Sequence, residues 1–345
     1  MTSAQFPVIE TIAPPSRERF DKEIRPAAKP VIMRGIAKGW PAVEQAMKGV
    51  VPLFQYLSAM DTGQSQGTLV KKTEEREKFF YSDDLRTQNY ETVSETASVA
   101  LENLLSPPDN KTRYIQSVKL DDHFKGFSDD NSLPLIEPNV AGRAWIGGET
   151  TVQTHFDCNE NIAICVLGKR EVTLFPPDQL PNLYIGPLET APGGANVSLT
   201  NLETPDFDTH PKFKEALKHA QSATLLAGDA IYIPYGWWHH VRALAPLNML
   251  VNYWWSPQTA QLDNPIAAMS HAMMAFRGMP ENQRRVWQNM FAQFVFMEEG
   301  EPMAHLPEPL RGLLGGVPKG RERDAIFEIL SVLAKDVGLT PPKNS

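Results

Sequence analysis

The sequence is poor in cysteine: Cys158 and Cys165 are the two cysteines among its 345 residues. Two cysteines do not make a disulfide framework, so nothing in the composition points to an oxidising compartment. Residues 1–17 lack the basic start and apolar run of a signal peptide, and no stretch of about 18 uninterrupted apolar residues occurs. These absences predict a cytoplasmic, reduced protein without a membrane span.

An excess of positive charge is also missing. The 33 lysine and arginine residues stand against 41 aspartate and glutamate residues, which gives a formal charge of −8. Phosphate contacts need clustered Lys and Arg, so this balance disfavours nucleic acid as a partner. Internal repeats and low-complexity tracts are absent as well. The 42% hydrophobic and 21% charged residues are typical of a globular protein.

Three regions differ in composition and in the spacing of their apolar residues, and we predict them to be separate parts of the chain. Residues 1–138 form a mixed α/β segment that packs on the central region. Residues 139–257 consist of short apolar runs rich in β-branched and aromatic residues, separated by Gly, Pro, Asn and Asp. Residues 258–345 show apolar positions at helical spacing. The fold class is therefore mainly β with helical additions.

The central region predicts a β sandwich or barrel, because many short strands alternate there with turn residues. Its apolar runs lie at Ala144–Ile146, Asn161–Leu167, Glu171–Phe175, Ala223–Leu226, Ala230–Ile233 and Met249–Trp255. A longer insertion, residues 186–221, interrupts these runs. Pro211 could occupy the first turn of a short helix in the insertion, with Phe213 and Leu217 on one face.

The first region carries weaker signals. Strands are predicted at Pro30–Arg34 and Arg113–Val118, and a helix at Val51–Met60. The charged run Lys71–Lys78 is interpreted as a solvated face, which is the usual role of such runs.

The last region predicts three helices, of which the first two are strongly apolar. They cover Pro265–Gly278, Gln283–Met297 and Arg323–Val337. Met and aromatic side chains dominate the first two, and such stripes are more often core or an oligomer interface than a cofactor site. A homodimer through these C-terminal helices is the expected partner arrangement.

The segment Thr151–Asp157 (TVQTHFD) is the first candidate for chemistry. Alternate side chains of a strand share a face, so His155 and Asp157 project together while Phe156 points away. Two such ligands can take adjacent positions on one metal ion. An H-x-D triplet alone is common, so a second imidazole is needed before it predicts a metal site.

The second imidazole is expected in Gly228–His240 (GDAIYIPYGWWHH), an apolar strand followed by an aromatic run. His239 and His240 cannot both face inward from one extended strand, and alternation alone leaves the choice between them open. Two histidines and one carboxylate on one face are typical of non-haem Fe(II) oxygenases. A structural zinc site would need four N or S donors, and Cys158 is the nearest thiol.

Longer motifs make the sequence resemble the cupin-like JmjC family of Fe(II)/2-oxoglutarate oxygenases. The matching segments are PVIMRGIAKGWPA (30–42), FFYSDDLR (79–86), RYIQSV (113–118), HFDCNEN (155–161), LFPPDQL (174–180), PDFDTHPKF (205–213), GDAIYIPYGWWHHV (228–241) and VNYWW (251–255). They cover roughly the first three quarters of the chain. The resemblance implies a double-stranded β-helix, the jelly-roll core of cupins, with helical additions.

The resemblance also implies the roles of individual residues. Fe(II) is expected on His155, Asp157 and His239, which settles the choice between the two histidines. Asn161 and Asn252 fall where the family holds the C1 carboxylate end of 2-oxoglutarate. Tyr114 falls where a hydroxyl meets the C5 carboxylate.

Asn252 also has a physical argument of its own. It interrupts an apolar strand, where an unpaired amide would cost about 1–3 kcal/mol, so we expect it to have a partner. A bond to neighbouring backbone is the alternative to a ligand contact.

Two departures from the family concern the co-substrate. Arg170 stands where the family has lysine, with Lys169 before it, and only one of the two can enter the barrel. The guanidinium of Arg170 can grip a carboxylate with two parallel hydrogen bonds, so it is expected to replace the lysine. Val152 stands where the family has a threonine hydroxyl for the same carboxylate.

The predicted function is a hydroxylase that uses Fe(II) and 2-oxoglutarate, because the likeness is to the hydroxylase branch of the family. Its expected substrate is a protein side chain or a small molecule; a tRNA base is also compatible, although the acidic balance disfavours it. Attack on an N-methyl carbon would give demethylation instead. Two alternatives remain at this point: a non-catalytic cupin-like protein that binds a ligand, and a cupin oxygenase or isomerase that does not use 2-oxoglutarate.

Overall fold

The structure, a computed structural model, divides by its contacts into two units, Met1–Ser256 and Pro257–Ser345. It describes residues 6–72, 79–82, 85–187, 191, 195–256, 265–311, 322–336 and 338–339. Within these residues, no helix combines the length and apolar character needed to cross a membrane. The finer division of the first unit at residue 138 stays a prediction.

Among the described residues, fourteen strands of the first unit form two sheets. In chain order they are β1 (Thr11–Ile12), β2 (Val31–Met33), β3 (Ser65–Lys72), β4 (Glu91–Thr96), β5 (Lys111–Lys119), β6 (Gly142–Gly147), β7 (Thr151–Phe156), β8 (Glu160–Leu167), β9 (Lys169–Phe175), β10 (Asn196–Val197), β11 (Gln221–Leu226), β12 (Ala230–Ile233), β13 (Trp238–Ala243) and β14 (Asn248–Trp255). The six apolar runs of the central region are confirmed as strands, with ends within two residues of the prediction.

The topology is that of a double-stranded β-helix. The larger sheet has the order β1-β2-β12-β8-β14-β6-β5-β3-β4, and the smaller one β10-β7-β13-β9-β11. From β6 to β9 successive strands alternate between the sheets, and from β11 to β14 they alternate again. Eight strands therefore form a flattened barrel of antiparallel pairs, and the predicted jelly-roll core is confirmed.

The barrel interior is lined by side chains that alternate along the strands. Its buried apolar residues include Ala163 and Cys165 of β8, Val172 and Leu174 of β9, and Ile231 of β12. The same inward rows also carry polar residues, Asn161 of β8 and Arg170 of β9, which line the cavity of the candidate site.

Helices cover the outer faces. The first unit contains α1 (Arg17–Arg19), α2 (Arg25–Ala27), α3 (Pro41–Lys48), α4 (Val50–Ala59), α5 (Ala97–Leu105), α6 (Leu120–His123), α7 (Phe127–Asp130) and α8 (Phe213–Lys218). A π-helical turn, Phe20–Ile24, joins α1 to α2. The largest core cluster packs several of these helices against the outer face of the larger sheet. The predicted strand at Pro30–Arg34, the helix at Val51–Met60 and the short helix after Pro211 are confirmed.

The charged run Lys71–Lys78 differs from its prediction at its first residue. Lys71 was interpreted as solvated, but it is 3% exposed. It lies near the end of β3, and its ammonium group stands 5.4 Å from the ring centre of Phe79. The strand carries this side chain inward, which the run of charges does not reveal; residues 73–78 of the run lie outside the described residues.

The second unit contains α9 (Pro265–Phe276), α10 (Glu281–Phe294) and α11 (Glu322–Asp336). All three predicted helices are confirmed. Within this unit α9 meets α10 through Phe276, whose ring lies 4.6 Å from Trp287 and 5.6 Å from Phe291. Neither α9 nor α10 has a buried residue, and many of their Met, Val and aromatic side chains are exposed.

The two cysteines should differ sharply in reactivity. Cys165 is fully buried in the barrel, and burial raises the pKa of its thiol to about 11, whereas Cys158 is half-buried. At pH 8 only about one Cys165 thiol in a thousand would be ionised, and the thiolate is the reactive form. We expect Ellman's reagent to titrate one thiol in the native protein and two in guanidinium chloride. A native Cys158→Ser variant that still reacts at once would contradict this assignment.

Candidate metal centre and adjoining cavity

Three predicted ligands meet where β7 ends and β13 begins. His155 is near the end of β7, His239 is opposite it in β13, and Asp157 follows β7. The imidazole rings of His155 and His239 are 4.1 Å apart, and His239 Nε2 is 3.5 Å from Asp157 Oδ2. One ligand atom from each residue lies within 4.8 Å of the other two, so the group could hold a metal ion.

Both histidines are oriented by backbone carbonyls. His155 Nδ1 lies 2.8 Å from the carbonyl of Gln153, and His239 Nδ1 lies 3.1 Å from the carbonyl of Trp237. A carbonyl can only accept, so each Nδ1 carries the hydrogen and each Nε2 presents a lone pair. This arrangement fixes the tautomer that a metal ligand needs.

The charges of the group fit a divalent cation. Burial, with a further contribution from His155, lowers the pKa of His239 to about 4, so its imidazole is neutral at neutral pH. Asp157 Oδ2 is buried and has no hydrogen-bond partner among the described residues. Such an atom costs free energy unless something binds it. A metal ion on these two Nε2 atoms and this carboxylate oxygen would satisfy it.

His240 and Cys158 take no part in this group. His240 is 1% exposed and points to the other side of the smaller sheet, where its Nε2 lies 2.8 Å from Glu203 Oε1. The strand β7 ends at Phe156, before Cys158, and the candidate metal group contains no thiol. The structure therefore brings together His155, Asp157 and His239 and leaves His240 apart.

An inner cavity adjoins the two histidines inside the barrel. It contains every residue that the resemblance assigned to 2-oxoglutarate. Its lining is Tyr114, Trp145, Val152, His155, Asn161, Ala163, Arg170, Val172, Ile231, Ile233, His239, Val241, Leu250, Asn252 and Trp254.

Arg170 is the unusual member of the inner cavity. It is 2% exposed, whereas Lys169 is exposed, so Arg170 is the one that enters the barrel. Its Nη2 donates to the carbonyl of Trp145 over 3.4 Å, and its Nε is buried without a partner. No carboxylate pairs with it in the part of the chain that the structure describes. A buried cation in this state calls for an anionic ligand.

Tyr114 lies beside Arg170. Burial raises the pKa of its phenol, and the neighbouring guanidinium opposes that rise. The hydroxyl of Tyr114 and the fork of Arg170 can therefore act on the same anion. Val152 lines the cavity without a hydroxyl, as the sequence indicated.

The two asparagines form a hydrogen-bonded chain with a tryptophan. Asn252 Oδ1 accepts a hydrogen bond of 2.7 Å from Trp145 Nε1, and Asn252 Nδ2 lies 3.4 Å from Asn161 Oδ1. The predicted partner of Asn252 is thus a side chain rather than neighbouring backbone. Trp145 was not predicted as a site residue. Its only signal in the sequence is its position within the apolar run Ala144–Ile146.

An outer cleft opens from the metal ligands toward the surface. Six of its seventeen lining residues are Phe, Tyr or Trp, and it shares Tyr114, Trp145, Val152, His155 and Trp254 with the inner cavity. Its other lining residues are Leu69, Phe79, Phe80, Tyr90, Gln116, Thr150, Thr151, Gln153, Asp157, Asn159, Ala195 and Val197. Residues of the first region and of the insertion therefore both contribute to its lining.

Comparison with known proteins gives a family and several relatives. The cupin-like domain family matches residues 17–261. Lysine-specific demethylase 8 of Danio rerio is 27% identical over 250 residues, which are 70% of this chain and 57% of that protein. The tRNA wybutosine-synthesizing protein 5 of Mus musculus is 24% identical over 306 residues, 78% of this chain and 89% of that protein.

A shorter match is closer in sequence. Lysine-specific demethylase JMJ31 of Arabidopsis thaliana is 38% identical over 107 residues, which are 31% of this chain and 19% of that protein. The match thus spans about half or less of the Danio rerio and Arabidopsis thaliana proteins. It spans 89% of the mouse protein.

Proposed function

The chain belongs to the cupin-like JmjC family, whose cofactors are Fe(II) and 2-oxoglutarate, and from this premise we propose that it is a hydroxylase of a protein side chain or a small molecule. When bound, the two cofactors supply the oxidative chemistry: dioxygen and 2-oxoglutarate are converted to succinate and CO2 while a substrate C–H bond becomes C–OH. The residues of the chain bind, orient and shield these groups.

The observation that carries the proposal is one cavity lined both by the two ligand histidines and by Arg170, whose Nε has no partner among the described residues. His155, Asp157 and His239 would hold Fe(II) through one atom each, which leaves three positions for other ligands. Arg170 and Tyr114 would bind the C5 carboxylate of 2-oxoglutarate. Asn161 and Asn252 would bind its C1 carboxylate end.

The outer cleft would receive the substrate. Rings of Phe79, Phe80 and Tyr90 line it, and Phe79 stacks on Tyr114 at 5.6 Å. Aromatic walls exclude water from the reacting groups, which limits side reactions. The metal ligands His155 and Asp157 also line this cleft, so a substrate group bound there would face the metal.

Relatives at this level of identity differ in the substrates that their names print, a lysine in one case and a tRNA in another. We keep a protein side chain or small molecule as the proposed substrate because the chain has a formal charge of −8. The free cysteines support the cytoplasm as the proposed compartment.

The direct test is turnover of 2-oxoglutarate by the purified protein. With Fe(II), ascorbate and dioxygen, we expect slow formation of succinate without substrate and faster formation with the right substrate. N-oxalylglycine, a 2-oxoglutarate mimic, should bind the Co(II)-loaded protein in calorimetry. Metal binding without N-oxalylglycine binding would favour a cupin that does not use 2-oxoglutarate, and binding of neither would favour a non-catalytic protein.

We also propose that the second unit forms a homodimer through α9 and α10, since their exposed apolar side chains have the composition of an interface. Met274 is 79% exposed and Val286 is 60% exposed. The double variant Met274→Glu/Val286→Glu should weaken the dimer by at least about 100-fold, or roughly 2.8 kcal/mol. Sedimentation velocity across a concentration series measures the change.

The matched control for the dimer is Val51→Glu on α4, because Val51 is also an exposed apolar residue, at 51%. It lies in the first unit and should leave the association constant unchanged. A wild-type protein that sediments as a monomer at high concentration would overturn the proposed dimer.

A further inference from the structure

The strand that carries His155 is irregular just before the ligand. In the pairing of β13 with β7, His239 is opposite His155 but Val241 is opposite Val152. Between these pairs β13 advances by two residues and β7 by three, so His240 faces both Gln153 and Thr154. This is a β-bulge, which bends a strand and re-aims the side chains next to it.

The bulge supplies the group that orients His155. The carbonyl of Gln153 accepts the hydrogen bond of 2.8 Å from His155 Nδ1. The side chain of Gln153 is buried and donates through Nε2 to the carbonyl of Thr200, which belongs to the insertion. The position of the Gln153 peptide, and with it the ring of His155, therefore depends on a contact with the insertion.

His240 makes a second connection between the bulge and the insertion. Its Nδ1 lies 3.2 Å from Thr154 Oγ1, and its Nε2 lies 2.8 Å from Glu203 Oε1. A carboxylate only accepts, so Nε2 donates to Glu203 and Nδ1 accepts from the Thr154 hydroxyl in the neutral ring. Arg242 Nε stands 3.8 Å from the same oxygen of Glu203 and offers it a positive charge.

We propose that Glu203 is a positioning residue for the metal centre. It holds His240, which lies next to one ligand in β13 and contacts the bulge that precedes the other ligand in β7. The insertion thus sets the spacing of His155 and His239 from outside the barrel, without touching the metal. This inference rests on the proposed metal-binding function of the two histidines.

The test compares Co(II) binding by the apo protein and its variants, using calorimetry and the visible spectrum of bound Co(II). Loss of an outer partner of a metal-ligating histidine typically weakens metal affinity by about 10–100-fold. Glu203 acts one step further out, through the non-ligand His240, so we expect Glu203→Ala to weaken Co(II) binding by about 10-fold, at the lower end of that range, and to shift the spectrum. Glu203→Gln keeps an oxygen acceptor for His240 and should stay within about threefold of wild type.

Glu215→Ala is the matched control, because Glu215 also belongs to the insertion and also contacts a histidine, His219, over 3.4 Å, but on the surface. It should bind Co(II) like wild type. If Glu203→Ala does not fold, Thr154→Val removes only the hydroxyl that contacts His240 and should weaken binding in the same direction.

A folded Glu203→Ala or Thr154→Val protein with wild-type Co(II) affinity and spectrum would overturn the inference, even if its unfolding temperature falls, since that would show a purely structural role. A wild-type protein that binds no Co(II) would instead overturn the proposed function.

Discussion

Replacing His239 with alanine should abolish tight metal binding. His239 supplies one of three ligand atoms. Its buried ring is neutral at neutral pH, so no proton has to leave before the metal ion binds. Because removal of an outer partner already costs about 10–100-fold in affinity, removal of a ligand itself should cost more than about 100-fold. Calorimetric titration of the apo protein with Co(II) measures this loss.

Thermal unfolding gives a second readout for His239→Ala. A ligand at a hundred times its Kd stabilises the native state by about 2.7 kcal/mol, so wild type should unfold at a higher temperature with Co(II) than without it. The variant should show no such rise. His219→Ala is the control, because His219 is an exposed histidine outside the group. Wild-type Co(II) affinity in His239→Ala would refute the assignment of this ligand.

Side-chain alternation explains why the barrel could be predicted from the sequence. Along β9, Arg170 and Val172 line the inner cavity, whereas Lys169 is exposed on the other face, and these positions follow a period of two in the sequence. The same period placed His155 and Asp157 on one face. These features depend on neighbours one or two residues away, so the sequence contains the information needed.

The choice between His239 and His240 shows where local patterns stop. Alternation says that one of them faces inward but does not say which. His240 is held outside the barrel by Glu203, which lies 37 residues earlier in the chain. The bulge at Gln153 and Thr154 cannot be recognised in the sequence either, because it is defined by the pairing of β7 with β13. Resemblance to a family, rather than spacing, supplied the answer.

Polar edge elements were missed for a related reason. The strand β4 consists of Glu91–Thr96, which lacks an apolar alternation, and its first four residues are exposed. Among the described strands its neighbour in the sheet is β3 alone, so its formation depends on that pairing and not on burial of its own side chains. The aromatic residues of the outer cleft, such as Phe79 and Tyr90, come from the adjoining segment and meet the barrel only through tertiary contacts.

Replacing Arg170 with methionine should separate co-substrate binding from metal binding. The guanidinium would make charge-assisted hydrogen bonds to the C5 carboxylate of 2-oxoglutarate, and losing a buried partner of this kind costs about 2–5 kcal/mol. We expect N-oxalylglycine to bind the Co(II)-loaded variant at least about 30-fold more weakly, while Co(II) itself still binds. Lys169→Met is the control, because Lys169 is exposed on the opposite face of β9.

The same substitution should stabilise the apo protein. Arg170 is 2% exposed, its Nε has no partner, and no carboxylate neutralises it among the described residues. A buried charge in this state is unfavourable until its ligand arrives, and an apolar side chain of similar length removes that cost. We therefore expect Arg170→Met to raise the free energy of unfolding of the apo protein by about 1 kcal/mol or more, measured by denaturant titration. If Arg170 binds an anion, the substitution should raise the stability of the apo protein and weaken the binding of N-oxalylglycine. If Arg170 has a purely structural role, the apo protein should become less stable and the binding of N-oxalylglycine should not change.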